Sequence, residues 1–205
     1  MKKLFFSVLA FMMLSSSILA LELEQIQMRV SKDLDSALSI LATKASVEQK
    51  SKELFALFDE YFDYTLMSRL ALGKLYKSLN DEQKEEFKAK FEERLKLSFS
   101  EKLSLYTDEK ITIAGFEQPN DKRYFLHTNI TNANKEVYKL SFKFHRAKAN
   151  DYLVYDVDIL GVSLIQTYRA QFEDLGSRAD FSTILARLNA TNELDKKDIN
   201  SAKAK

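Results

Sequence analysis

The chain has 205 residues, with 31 basic and 30 acidic side chains, a formal net charge of +1, and neither cysteine nor tryptophan. Such a balance excludes the basic footprint of a nucleic-acid binder and disfavours attachment to a membrane surface by charge alone. The missing thiols exclude disulfides, lipidation at cysteine and thiol chemistry, while 15 Phe and 9 Tyr supply a large aromatic core.

Lys2 and Lys3 precede an almost wholly apolar stretch from Leu4 to Leu14, and Ser15, Ser16 and Ser17 lead to Ala20. This is the pattern of a secretory signal peptide, with cleavage expected after Ala20. Its apolar run of about a dozen residues is shorter than the roughly 20 that span a bilayer. The exported remainder is expected to be a free, soluble, single domain over 21–190 with a disordered polar tail over 191–205.

Leu23, Ile26, Val30, Leu34, Ala37, Leu38 and Leu41 follow a helical period and predict an amphipathic helix from Leu21 to about Leu41. A second helical stretch carries Leu54, Phe55, Phe58, Tyr61 and Phe62 and runs on to Gly73, a plausible point for the helix to end or bend. Asn80 with Gln83 three residues later resembles a capping box. The helix it opens repeats Phe87, Phe91, Leu95, Phe99 and Leu103 among charges that read as a solvated face.

From Ile111 the period becomes two. Strands are expected at Ile111–Phe116, Tyr124–Ile130, Val137–Arg146 and Leu153–Leu160, joined by short polar turns, so an antiparallel meander is the economical topology. Tyr138, Leu140, Phe142 and Phe144 share one face of the third strand, and Leu153, Tyr155, Val157 and Ile159 one face of the fourth. Leu164, Ile165, Tyr168 and Phe172 mark a helix ending near Gly176. Asp180 can cap a last helix with Phe181, Ile184, Leu185 and Leu188. The fold class is therefore α+β, an antiparallel sheet of about four strands packed against several helices.

Catalytic sets are scarce. His127 and His145 lie among polar strand neighbours and read as surface or rim groups, and Ser163 reads as a helix cap rather than a nucleophile. Asp156 and Asp158 project from one strand face, but adjacent acids without a raised pKa are not a catalytic pair. Asp156 is expected to pair with an arginine, Arg169 or Arg123. The four glycines stand alone, so no phosphate-cradling loop is present, and no metal or cofactor site is expected. The surplus of apolar faces would serve a dense core or a hollow one equally well, and periodicity does not separate the two.

Two stretches are specific enough to carry a resemblance. The first is Phe62-Asp63-Tyr64 with Met67, Arg69 and Leu72-Gly73, followed by Asp81-Glu82-Gln83, Phe87 and Phe91. The second is Val154-Tyr155-Asp156-Val157, Gly161-Val162-Ser163-Leu164, Tyr168-Arg169, Gln171 and Phe172. Both resemble the MlaC family of toluene-tolerance auxiliary transport proteins, over residues 21 to 190. The resemblance implies a monomeric periplasmic carrier of phospholipid, not an enzyme. Its partners would be an inner-membrane MCE-domain protein with its ABC transporter and an outer-membrane lipoprotein complex, serving outer-membrane lipid asymmetry. Acyl chains would sit between sheet and helices, in a pocket lined by Phe58, Phe62, Met67, Phe91, Phe99, Phe142, Phe144, Tyr155, Val157, Leu164 and Tyr168. Asp156 and Arg169 are expected to be a structural ion pair. The chain departs from the family pattern at Leu160, where an acid is common, and at Leu75, Tyr76 and Lys77. A periplasmic interaction or chaperone-like domain with a filled core stands as the alternative, and an enzyme built on Asp156 and Asp158 as a third.

Overall fold

The structure, a computed structural model, describes residues 17–103, 109–148, 151–176 and 179–190. Most of the expected signal segment and the whole expected tail lie outside the described residues. Helix α1 (Ser17–Leu41) turns Ile26, Val30, Ala37 and Leu41 toward the protein, as the apolar spacing requires. Helix α2 (Val47–Phe58) starts at Ser46, whose Oγ accepts a hydrogen bond from the Gln49 amide.

The second helical stretch is not continuous. After α2 come a 3-10 helix (Asp59–Tyr61) and an extended break at Phe62, and helix α3 (Tyr64–Leu72) begins afresh. Asp63 causes the restart. Its Oδ1 accepts from the Leu66 amide at 2.8 Å, capping α3, while its own N–H donates to the Val154 carbonyl at 2.9 Å. Gly73 ends α3 at φ +58, in the left-handed region, and a 3-10 helix (Gly73–Ser78) follows. Helix α4 (Asp81–Leu103) opens on the expected capping box, with the Gln83 amide donating to Asn80 and the Asn80 amide to Gln83 Oε1.

Five strands form one antiparallel sheet in sequence order: β1 (Lys110–Asn120), β2 (Arg123–Thr131), β3 (Val137–Lys148), β4 (Asp151–Ile159) and β5 (Val162–Ser163). The expected meander is present with one more strand than the sequence suggested. β5 folds back over a two-residue turn, Leu160 and Gly161, both at positive φ. The register of β1 shifts at Gly115 and again before Asn120, and β4 bulges opposite Lys143 and Phe144. Helices α5 (Leu164–Glu173) and α6 (Phe181–Ala190) complete the domain. Ser163 caps α5, and Asp180 Oδ1 receives the Thr183 amide at the start of α6.

Burial divides into three clusters. The helical core unites α3, α4, α5 and α6 through Met67, Leu72, Phe87, Phe91, Tyr168, Phe172, Ile184 and Leu188. A second cluster lies between α1 and the inner face of the sheet, and a third joins α1 to α2 through Ala37, Leu41 and Leu54. Each fully buried large apolar side chain contributes about 1.5–3 kcal/mol, so packing alone holds this cysteine-free domain together.

Candidate functional site

The inner face of the sheet is assembled by strand alternation. β2 sends Tyr124 and Leu126 to it, β3 sends Leu140, Phe142 and Phe144, and β1 adds Ile113 and Phe116. Pairing sets Tyr124 opposite Phe144, Leu126 opposite Phe142, and Phe142 opposite Val157. At one end the face is sealed by rings. Tyr124 lies 5.6 Å from Phe116, 6.1 Å from Phe144 and 6.5 Å from Tyr152, centroid to centroid.

Helix α1 lies over this face through Ile26 and Val30, and polar contacts fasten it along the rim. Gln27 Nε2 donates to the Tyr124 hydroxyl at 2.8 Å, Arg29 pairs with Glu60 and lies over the Tyr61 ring, and the Tyr61 hydroxyl donates to Asp33. Burial pushes the Tyr124 hydroxyl up to about 12, and burial together with the Asp33 carboxylate pushes Tyr61 up further. Both stay neutral hydrogen-bonding groups at ordinary pH. Toward the other end Leu140, Phe142, Ile159 and Leu164 are only half-buried. The apolar face is thus tightly packed around Tyr124 and less completely covered around Leu140 and Ile159.

The opposite face is polar. Asp156, 5 % exposed, accepts from Lys143 Nζ at 3.0 Å, the Ser163 hydroxyl at 2.8 Å and the Ile165 amide at 3.1 Å. It therefore ties β3, β5 and the first turn of α5 together. Asp158 receives the Gly161 amide at 2.8 Å and lies 3.5 Å from Lys143. Both carboxylates are engaged in holding the fold, which leaves the enzymatic reading without a pair. The ion pair expected between Asp156 and Arg169 does not form. Lys143 is the strand neighbour of Asp156, whereas Arg169 bonds Glu173 one turn further along α5 and packs against Gly73. His145 Nε2 contacts Asp63 Oδ2 at 2.9 Å, and His127 bonds Ser141 and Glu117. Among the described residues no group of three His, Asp or Glu side chains is placed to hold a metal ion, and no helix is long and apolar enough to cross a membrane.

The structure gathers Phe62, Phe142, Phe144, Val157 and Leu164 at the inner face. Met67, Phe91 and Tyr168 are placed apart from it, in the helical core, where Phe91 and Tyr168 meet edge to face at 5.0 Å. Phe58 belongs to the α1–α2 cluster. Phe99, 45 % exposed, flanks Phe55 beside an open cleft of about 660 Å³ between α2 and α4. Tyr155 faces the other way, because the bulge in β4 makes it the extra residue. Its ring lies between the Arg123 guanidinium and His145, and Val154 and Tyr152 take the inner positions instead. Sequence reasoning missed Tyr124, Leu126, Tyr152, Val154, Ile26 and Val30 as members of this inner-face cluster. The alternation of Tyr124 and Leu126 could have revealed the first two, whereas the bulge hides the next pair.

A search of curated proteins finds no sequence match. Among solved structures, a phospholipid-binding protein from Ralstonia solanacearum, determined in complex with a phospholipid, matches with a TM-score of 0.67 and 21% identity. The match covers 82% of this chain and 97% of that one. Similarity at that identity establishes a shared α+β fold. The model of the MlaC protein family matches residues 31–190, which include both signature stretches, the capped helix α3 and the Asp156 tie, and the chain belongs to the MlaC family.

Proposed function

We propose that the protein is a periplasmic phospholipid carrier, exported by the segment ending near Ala20 and folded as one lipid-binding domain over 21–190. It would pass lipid between an outer-membrane lipoprotein complex and an inner-membrane MCE-domain transporter and so help to maintain outer-membrane lipid asymmetry. The observation that carries this reading is the apolar inner face of the sheet, packed with rings around Tyr124 and only half-buried around Leu140 and Ile159. Membership of the MlaC family and the fold shared with a protein bound to phospholipid support it. The cargo needs such a face. Each acyl methylene left in water costs about 0.8 kcal/mol, so an unescorted lipid crosses an aqueous compartment too rarely to be useful.

The proposed lining is the inner-face set, with acyl chains entering from the Leu140 and Ile159 end and displacing α1 as they seat. Native mass spectrometry of the purified protein, followed by organic extraction, tests it. Phospholipid near one per chain is expected in the wild type. Leu140→Trp, which adds bulk at the half-buried end, is expected to remain folded and lose most of that lipid. A folded Leu140→Trp protein that retains wild-type lipid would show the lining to be elsewhere.

The exposed Val47, which lines the α2–α4 cleft, and Phe99, packed on Phe55 of its wall, favour a second reading, a periplasmic protein-interaction domain with a filled core. Protein that is empty as purified and takes no phospholipid from vesicles would bring that reading forward.

A further inference from the structure

Leu160 has no conformational reason to be where it is. It occupies the first position of the β4–β5 turn at φ +56, followed by Gly161 at φ +85, and a turn with two positive φ values selects Asn, Asp or Gly at its first position. A leucine there is strained, and it is left 37 % exposed. Strain kept at a partly exposed apolar side chain points to a contact made outside the fold.

The surroundings of the turn indicate the kind of contact. Val162, directly after it, and Val137, at the start of β3, are each 54 % exposed at the same end of the sheet. The Leu160 amide donates to the Lys139 carbonyl, and Ile159 pairs with both Val162 and Leu140, so Val162 continues the inner face at this end while Val137, on the alternate side of β3 from Tyr138 and Leu140, flanks it. Exposed Lys110, Lys135 and Lys139 stand at this end, against Glu109 and against Glu136, whose carboxylate is held by Asn132 and Tyr138. A few aliphatic side chains on a tight turn, bracketed by lysines, match an interface that is apolar beneath and anionic above.

We propose that the Leu160–Gly161 turn is a membrane-contact tip. Leu160, Val162 and Val137 enter the outer few ångströms of an anionic phospholipid bilayer, while Lys135 and Lys139 meet headgroup phosphates. Apolar insertion supplies what the near-neutral chain lacks in charge. The tip goes beyond the carrier reading and is tested apart from it.

The test is sedimentation of the full-length exported protein with vesicles of phosphatidylethanolamine and phosphatidylglycerol, for the wild type and Leu160→Asn. Asparagine suits the turn and removes the aliphatic contact, so the two readouts should move in opposite directions. The melting temperature rises by about 2–4 °C as strain is relieved, and the vesicle-bound fraction falls about tenfold, with bound lipid per chain unchanged. Because the chain has no Trp, Leu160→Trp provides a sole indole at the tip, and its emission should shift to the blue on adding vesicles. Equal sedimentation of Leu160→Asn and wild type would overturn the proposal. So would an indole that ignores vesicles, or a wild-type protein that leaves vesicles in solution but forms a complex through this turn with a membrane protein's soluble domain.

Discussion

Asp156 shows how much one buried side chain can organise. Its oxygens serve an ammonium, a hydroxyl and a backbone amide from three elements, and the first turn of α5 also favours negative charge at that point. Asp156→Asn keeps the shape but removes the charge that compensates Lys143, which is itself largely buried. A loss of about 3 kcal/mol of unfolding free energy is expected by chemical denaturation, with lipid content unchanged in the folded fraction. An equally stable Asp156→Asn protein would mean that the hydroxyl and amide bonds alone suffice.

At the scale of elements, two signature stretches that are remote in sequence prove to be one packing unit. Gly73 ends α3 with positive φ, and a Cβ placed there would approach Arg169 Nε on α5 to 3.4 Å. Gly73→Ala therefore combines backbone strain with a crowded guanidinium. A loss of about 1–2 kcal/mol is expected, read as a lower melting temperature. The elements themselves were largely legible, because periodicity and capping are local: Asn80 with Gln83, Ser163 and Asp180 all cap as their spacing indicates. Two features were not. A two-residue strand such as β5 has no period to detect, and the bulge at Tyr155 arises from pairing between strands, so one extra residue turned an apolar face around. Partner choice for Asp156 failed for the same reason, since the strand register brings Lys143 beside it. Apolar spacing placed Phe142 and Val157 on the inner face but could not distinguish that face from the helical core that took Met67, Phe91 and Tyr168.

The molecule as a whole has a predictable response to alkali. Burial raises Tyr61 and Tyr64 well above the ordinary tyrosine value, helped by Asp33 and Asp59, and raises Tyr124 from 10.0 to about 12. Burial alone would lower Lys143, but its bond to Asp156 and the charges of Asp156 and Asp158 outweigh burial and raise it. A group with a folded-state pKa above its unfolded value holds its proton more tightly in the folded chain. Its contribution is complete below the unfolded value and is lost as pH rises toward the folded one. Unfolding free energy should therefore decline from about pH 10 upward, and Tyr124→Phe should make the decline between pH 10 and 12 shallower. An unchanged slope in that variant would mean that Tyr124 ionises as freely in the folded protein as in the unfolded chain.

The interrupted register of β1 has a consequence for life at high concentration. Among the described residues β1 is an outer edge of the sheet, and an edge strand of eleven residues is a template on which another chain can polymerise. Shifts at Gly115 and before Asn120, with Pro119 between them, break its hydrogen-bonding row, and Lys110 adds a charge at its beginning. Copies of the chain can thus meet one another at high concentration without their sheets joining into fibrils.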